Sequence, residues 1–279
     1  MLEVVKHSPI FQGSTNGMQP MMMTVFGVSF IFVMTLAGAM VVFCFKKGIS
    51  HKQEAVFFGF AAGIMTAASI WSLLLPAISQ ADDDWGDFAF MPAVIGFCVG
   101  GAFLGMLDGI LKGELVRKKK GNAKMDAAKS LKLFFAVTLH NIPEGLAVGF
   151  AFGSACVIGT TSAYLTALGL AVGIGLQNFP EGAAVALPMQ STLQSRAKAF
   201  WLGTFSGLFE PVFAVVGYFM ASWLRILQPW LLAFSAGSML FVVAEDLLSN
   251  IEGEDCRRIA TWGFMVGFAV MMTLDVALK

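Results

Sequence analysis

His140-Asn141-Ile142-Pro143-Glu144-Gly145 sits in the middle of one long apolar run, and Gln177-Asn178-Phe179-Pro180-Glu181-Gly182 sits in the middle of the next. Each hexapeptide places a carboxylate, a proline and ligand-type side chains where lipid or close-packed protein admits few of them. The fold depends on whether the surrounding runs are membrane spans. Of 279 residues, 57% are hydrophobic and only 13% charged, with a mean hydropathy of +0.76. Soluble domains carry about 25% charged residues, so the chain reads as an all-α integral membrane protein. Crossing about 30 Å of hydrocarbon takes roughly 20 apolar residues. Eight runs qualify: 21–45, 54–78, 88–111, 131–152, 162–187, 199–224, 229–248 and 258–278. They use the whole chain, so a single transmembrane domain over 1–279 is expected, an eight-helix bundle with no soluble domain.

Charge placement orients such a bundle. With eight spans, the connections 1–2, 3–4, 5–6 and 7–8 hold Lys46, Lys47, Lys52, Lys112, Arg117, Lys118, Lys119, Lys120, Lys124, Lys129, Lys132, Arg196, Lys198, Arg257 and Arg258. The other side holds only Lys6, Arg225 and Lys279. Both termini are therefore expected outside, with the basic stretch 112–130 a flexible cytoplasmic loop. Its charge suits topology setting and attraction to anionic headgroups. On the opposite face Asp82, Asp83, Asp84 and Asp87 are expected to form an acidic loop that can raise local cation concentration. The first twenty residues do not read as a cleavable signal, and the scattered Cys44, Cys98, Cys156 and Cys256 read as free thiols. Rows of glycine at four-residue spacing (59/63, 101/105/109, 145/149/153, 169/173, 203/207 and 263/267) predict close helix approach.

At helical spacing His140, Asn141 and Glu144 share a face, as do Gln177, Asn178 and Glu181, and both groups fall near the middle of their spans. Pro143 and Pro180 each lack the amide that would bond to Leu139 or Leu176, so an opened turn with free carbonyls is expected. Glu210, before Pro211 in span 6, adds a third carboxylate. One charge at the membrane centre costs on the order of 3 kcal/mol. Two carboxylates about 5 Å apart in an effective dielectric near 20 repel by roughly 3 kcal/mol. The cluster therefore asks for a proton or, better, a divalent cation, and no Lys or Arg lies near these positions in spans 4, 5 or 6. Imidazole, carboxylates and amide oxygens suit zinc, ferrous iron, manganese or cobalt, and the lack of thiolates disfavours copper(I). Met65 in span 2 is read as packing or as an added thioether.

Two such hexapeptides in the fourth and fifth spans, with Glu-Pro in the sixth, resemble the ZIP (Zrt/Irt-like) family of divalent-metal transporters, most closely its GufA branch. The resemblance covers nearly the full length. It implies a 3+2+3 arrangement of spans and a midplane binuclear metal site. One ion would be held by Met65, His140, Glu144, Gln177 and Glu181, and the other by Asn141, Glu144, Asn178, Glu181 and Glu210, with Glu144 and Glu181 bridging. It further implies a homodimer, in a bacterial cytoplasmic membrane here, that works by sliding one helix group against another. Gln177 stands where much of the family has histidine, which loosens the preference for zinc and admits cadmium and other divalent metals. None of His7, His51 and His140 lies in 112–130, against a histidine-based sensor there.

Secondary candidates for the path are Ser72, on the face of Met65; Asp108, Glu245 and Asp246 toward the cytoplasm; and Asp275 near the entrance. The expected function is passage of zinc or related metals into the cytoplasm, with the metal as cargo, no catalytic cofactor and no nucleic-acid partner. A rival is an intramembrane metal-dependent hydrolase, whose His-Glu-x-x-His signature is absent. A metal-sensing receptor is a third reading, and it lacks a soluble signalling domain. No phosphate-cradling Gly-Lys-Ser/Thr loop points to ATP.

Overall fold

Within lipid a helix satisfies its backbone from its own segment, and helices are the only regular elements among the described residues of the computed structural model. These are residues 18–45, 49–118, 122–221, 225–249 and 251–278. In order they are α1 (Met18–Met40), α2 (His51–Ala68), α3 (Leu75–Trp85), α4 (Phe90–Lys118), α5 (Asn122–Ile158), α6 (Thr161–Leu193), α7 (Arg196–Gly207), α8 (Phe209–Met220), α9 (Gln228–Val242) and α10 (Glu254–Leu278). A π-helical stretch, Ser69–Leu74, joins α2 to α3, and a second, Val243–Leu248, extends α9. Helix starts carry their own chemistry. Ser50 and Gln53 form a reciprocal capping box at α2, and the Thr160 and Ser195 hydroxyls accept from backbone amides at the starts of α6 and α7. Gly159, with φ +72°, turns the chain between α5 and α6 in a conformation that L side chains rarely adopt.

Seven of the eight expected spans are helices long and apolar enough to cross a membrane. The expected span 162–187 lies within α6, which has 33 residues. It falls short on apolarity because Gln177, Asn178, Pro180 and Glu181 sit inside it. Other expectations change as well. Stretch 112–130 is not a loop, since α4 runs to Lys118 and α5 starts at Asn122, leaving only 119–121 outside the described residues. Alanine, leucine, methionine and lysine are good helix formers, and the charges do not prevent it. The acidic stretch is also helical, with Asp82, Asp83 and Asp84 in the last turns of α3 and Asp87 in a short 3-10 turn. Pro143 and Pro180 do not break α5 or α6, whereas span 6 is interrupted at Leu208, just before Glu210. The termini 1–17 and 279, with Lys6, His7 and Lys279, lie outside the described residues, as do residues 222–224 and the Arg225 side chain.

Four close helix pairs dominate the packing: α1 with α6, α5 with α8, α2 with α10 and α4 with α9. Glycine makes them possible. A Cβ at Gly145, Gly149 or Gly153 would run into the α8 backbone at Glu210, Ala214 or Tyr218, and one at Gly59 or Gly63 would run into Ala260 or Phe264 of α10. In α4 the close-approach row is Gly96 and Gly100, not the expected 101/105/109; a Cβ at Gly109 would meet nothing. Further contacts join α1, α5, α6, α7 and α8 into one group and α2, α4, α9 and α10 into another. The groups meet through α5 against α9 and α2 against α6. The four cysteines are free.

Candidate metal centre

Residues three and four apart on α5 and α6 meet where these helices pack. Ligand atoms of His140, Glu144 and Glu181 all lie within 4.8 Å of one another, and the three residues are at most 1% exposed. His140 Nε2 stands 3.3 Å from Glu181 Oε2, and the Gln177 amide donates to Glu144 Oε1 at 2.8 Å. Glu210 on α8, equally buried, accepts from the Asn178 amide at Oε2 and from the Thr35 hydroxyl at Oε1, the latter at 3.1 Å. The motif glycines bring these parts together. Gly145 admits the backbone of Glu210, and Gly182 admits the backbone of Thr35 and Ala39 on α1.

The amide donors are aimed away from the cluster centre or at its carboxylates. Asn141 Nδ2 donates to the Ser206 carbonyl at 3.0 Å, and Asn178 Nδ2 also donates to the Ile31 carbonyl at 3.2 Å. Asn141 Oδ1, Glu144 Oε2, Gln177 Oε1, Asn178 Oδ1 and Glu181 Oε1 consequently have no hydrogen-bond donor among the described residues. A buried acceptor left unsatisfied costs about 1–3 kcal/mol, so five of them cost about 5–15 kcal/mol, as much as a whole fold's usual stability. An acceptor-rich pocket carrying three carboxylates is relieved by a cation. The partners of those carboxylates are amides, a hydroxyl and an imidazole, with no lysine or arginine among the described residues. This chemistry matches the hard-oxygen and imidazole set that divalent transition metals take.

The flanking candidates fall into place unevenly. Met65 is buried on α2, which packs against α6, but its sulfur makes no hydrogen bond into the cluster. Its carbonyl accepts from Ser69, whose hydroxyl also reaches the Met239 sulfur at 3.0 Å. Ser72 and Asp275, separate in sequence, are bonded: the Ser72 hydroxyl donates to Asp275 Oδ1 at 2.6 Å. They meet beside Gly173, one turn before Gln177. Asp246 is buried and Glu245 half-buried in the second π stretch. Asp108 lies on α4 with its side chain outside those described, so the expected grouping of the three acids is not tested. Sequence reading missed Thr35, Ile31 and Ser206, whose signals are a hydroxyl and two backbone carbonyls in apolar runs.

A family profile described as ZIP Zinc transporter matches residues 117–275. This chain belongs to the ZIP family. Zinc transporter ZIP11 of Xenopus tropicalis is 34% identical, over 94% of this chain and 99% of that protein. Zinc transporter GufA of Myxococcus xanthus is also 34% identical, over 82% and 89%. Zinc transporter ZIPB of Bordetella bronchiseptica is 32% identical, over 88% and 78%. The matched residues include both hexapeptides and Glu210.

Proposed function

We propose that this ZIP-family protein carries zinc, and with it divalent metals such as iron, manganese, cobalt and cadmium, across a bacterial cytoplasmic membrane into the cytoplasm. The observation that carries this reading is the meeting of His140, Glu144 and Glu181, with Glu210 beside them, around oxygen atoms that lack donors. In this reading Met65, His140, Glu144, Gln177 and Glu181 hold one ion, and Asn141, Glu144, Asn178, Glu181 and Glu210 hold a second. The carboxylates attract and dehydrate the ion, and neutral amides keep the grip weak enough for release. α6 is then the fifth of eight spans in a single domain over 1–279, both termini lie outside, and the chain works as a homodimer. Sliding of one helix group against the other would have its seam along α5–α9 and α2–α6, where the two groups meet. Ser72 with Asp275 flank the path on one side, and Asp108, Glu245 and Asp246 on the other.

The relatives named as zinc transporters support a transporter rather than an enzyme. The helical His-Glu-x-x-His signature favoured by metal hydrolases is absent from the sequence. Protein reconstituted in liposomes with an internal zinc indicator is expected to pass zinc without ATP. Glu144→Ala, inserted at equal density, is expected to fall to background. Unchanged flux in that variant, or release of a hydrolytic product by the native protein, overturns the reading.

A further inference from the structure

Thr35, on α1, is fully buried and packed into a socket of glycines. A Cβ at Gly207 would run into its side chain, and one at Gly182 into its backbone carbonyl. Its hydroxyl has one hydrogen and two acceptors in reach, Glu210 Oε1 at 3.1 Å and its own helix's Ile31 carbonyl at 3.3 Å. The Asn178 amide has two hydrogens and also two acceptors, Glu210 Oε2 and the same Ile31 carbonyl at 3.2 Å. Both Glu210 oxygens are thus engaged by donors, and Glu210 stands outside the His140–Glu144–Glu181 group. The first half of the cluster is assembled while the carboxylate unique to the second half is tied to α1 and Asn178.

We propose that Thr35 is a positioning residue that latches Glu210 until a second metal ion arrives. This rests on the binuclear reading above and adds an order of events to it. When the second ion takes Glu210, the Thr35 hydroxyl turns to the Ile31 carbonyl, the bond to the fourth preceding residue that threonine readily makes in membrane helices. The exchange gives up hydrogen bonds to a carboxylate and keeps those to a neutral carbonyl, so opening the latch weakens the hold on the second ion. Asn178 frees its amide in the same movement and presents Oδ1. The latch holds the second ion loosely, which favours its release on the far side.

Thr35→Val keeps the shape that fills the glycine socket and removes the hydroxyl. Thr35→Ser keeps the hydroxyl. Zinc titration of purified protein, with metal-to-protein ratios measured after dialysis, is expected to show two ions binding to the native chain in a tighter and a weaker step. Loss of a hydrogen bond to a charged group is worth about tenfold in affinity or more. Thr35→Val is therefore expected to tighten the weaker step about tenfold, leave the first step unchanged, and lower KM and kcat for zinc flux together. Thr35→Ser is expected to restore native values. A Thr35→Val protein with an unchanged or weakened second step, or one whose kcat falls without a fall in KM, overturns the latch while the binuclear site stands. A native protein that takes up only one ion overturns both.

Discussion

Charge separates the cluster residues from one another. Glu144 lies in one ligand group with His140 and Glu181 and accepts the Gln177 amide. Its loss removes a bridging ligand and a negative charge at once. His140 offers a neutral nitrogen, so His140→Ala is expected to raise KM for zinc roughly ten- to hundredfold, the equivalent of one interaction with a charged centre, with a smaller loss of maximal rate. Flux assays with both variants at matched density check the contrast; a His140→Ala protein as inactive as Glu144→Ala would make the imidazole indispensable and refute it. His140, Glu144 and Glu181 were legible in the sequence because spacings of three and four put them on one helical face, and only metal or proton chemistry repays such groups at that depth. Thr35 was not legible. A hydroxyl in an apolar helix is satisfied equally well by its own preceding turn, so nothing in the sequence separates a latch from a bystander.

At the level of the helices, seven of the eight expected spans overlap helices long and apolar enough to cross a membrane, since that property follows from apolar composition. Pairing was only half visible. A glycine row says that some backbone comes close, but not which helix face is turned inward, and in α4 the packed row is offset by one residue from the one expected. Pro143 and Pro180 misled because a helix packed on neighbours tolerates one missing amide, and the interruption falls instead at Leu208, between Gly207 and Pro211, whose ring lacks the amide that would bond back to the Gly207 carbonyl. These packings separate two substitutions that look alike in sequence. Gly149→Ala drives a methyl group into the Ala214 backbone, and overpacking of this kind costs about 1–3 kcal/mol, so thermal unfolding in detergent is expected at a lower temperature. Gly109→Ala meets open space and gains up to about 1 kcal/mol of helix propensity, so its melting temperature is expected to hold or rise. Equal melting of the two variants would refute the α5–α8 approach.

For the whole molecule, the hydrogen bonds into the cluster described above come from one helix group: α1, α5, α6, α7 and α8. The imidazole, carboxylates and amides of the candidate centre are thus carried by one helix group, and Met65, Ser72, Asp246 and Asp275 by the other. Which compartment each end faces follows from charge. Fifteen of the eighteen basic residues fall on one side of the eight-span reading, and basic connections are retained in the cytoplasm. In the proposed eight-span topology the helical ends around 112–132 and the acidic end of α3 are therefore expected on opposite sides. In a chain with Cys44, Cys98, Cys156 and Cys256 replaced by alanine, a membrane-impermeant maleimide is expected to label Asp84→Cys in intact cells. Asn122→Cys is expected to react only after permeabilisation. The reverse pattern would invert the molecule, put the basic face outside, and turn the proposed inward passage of metal into export.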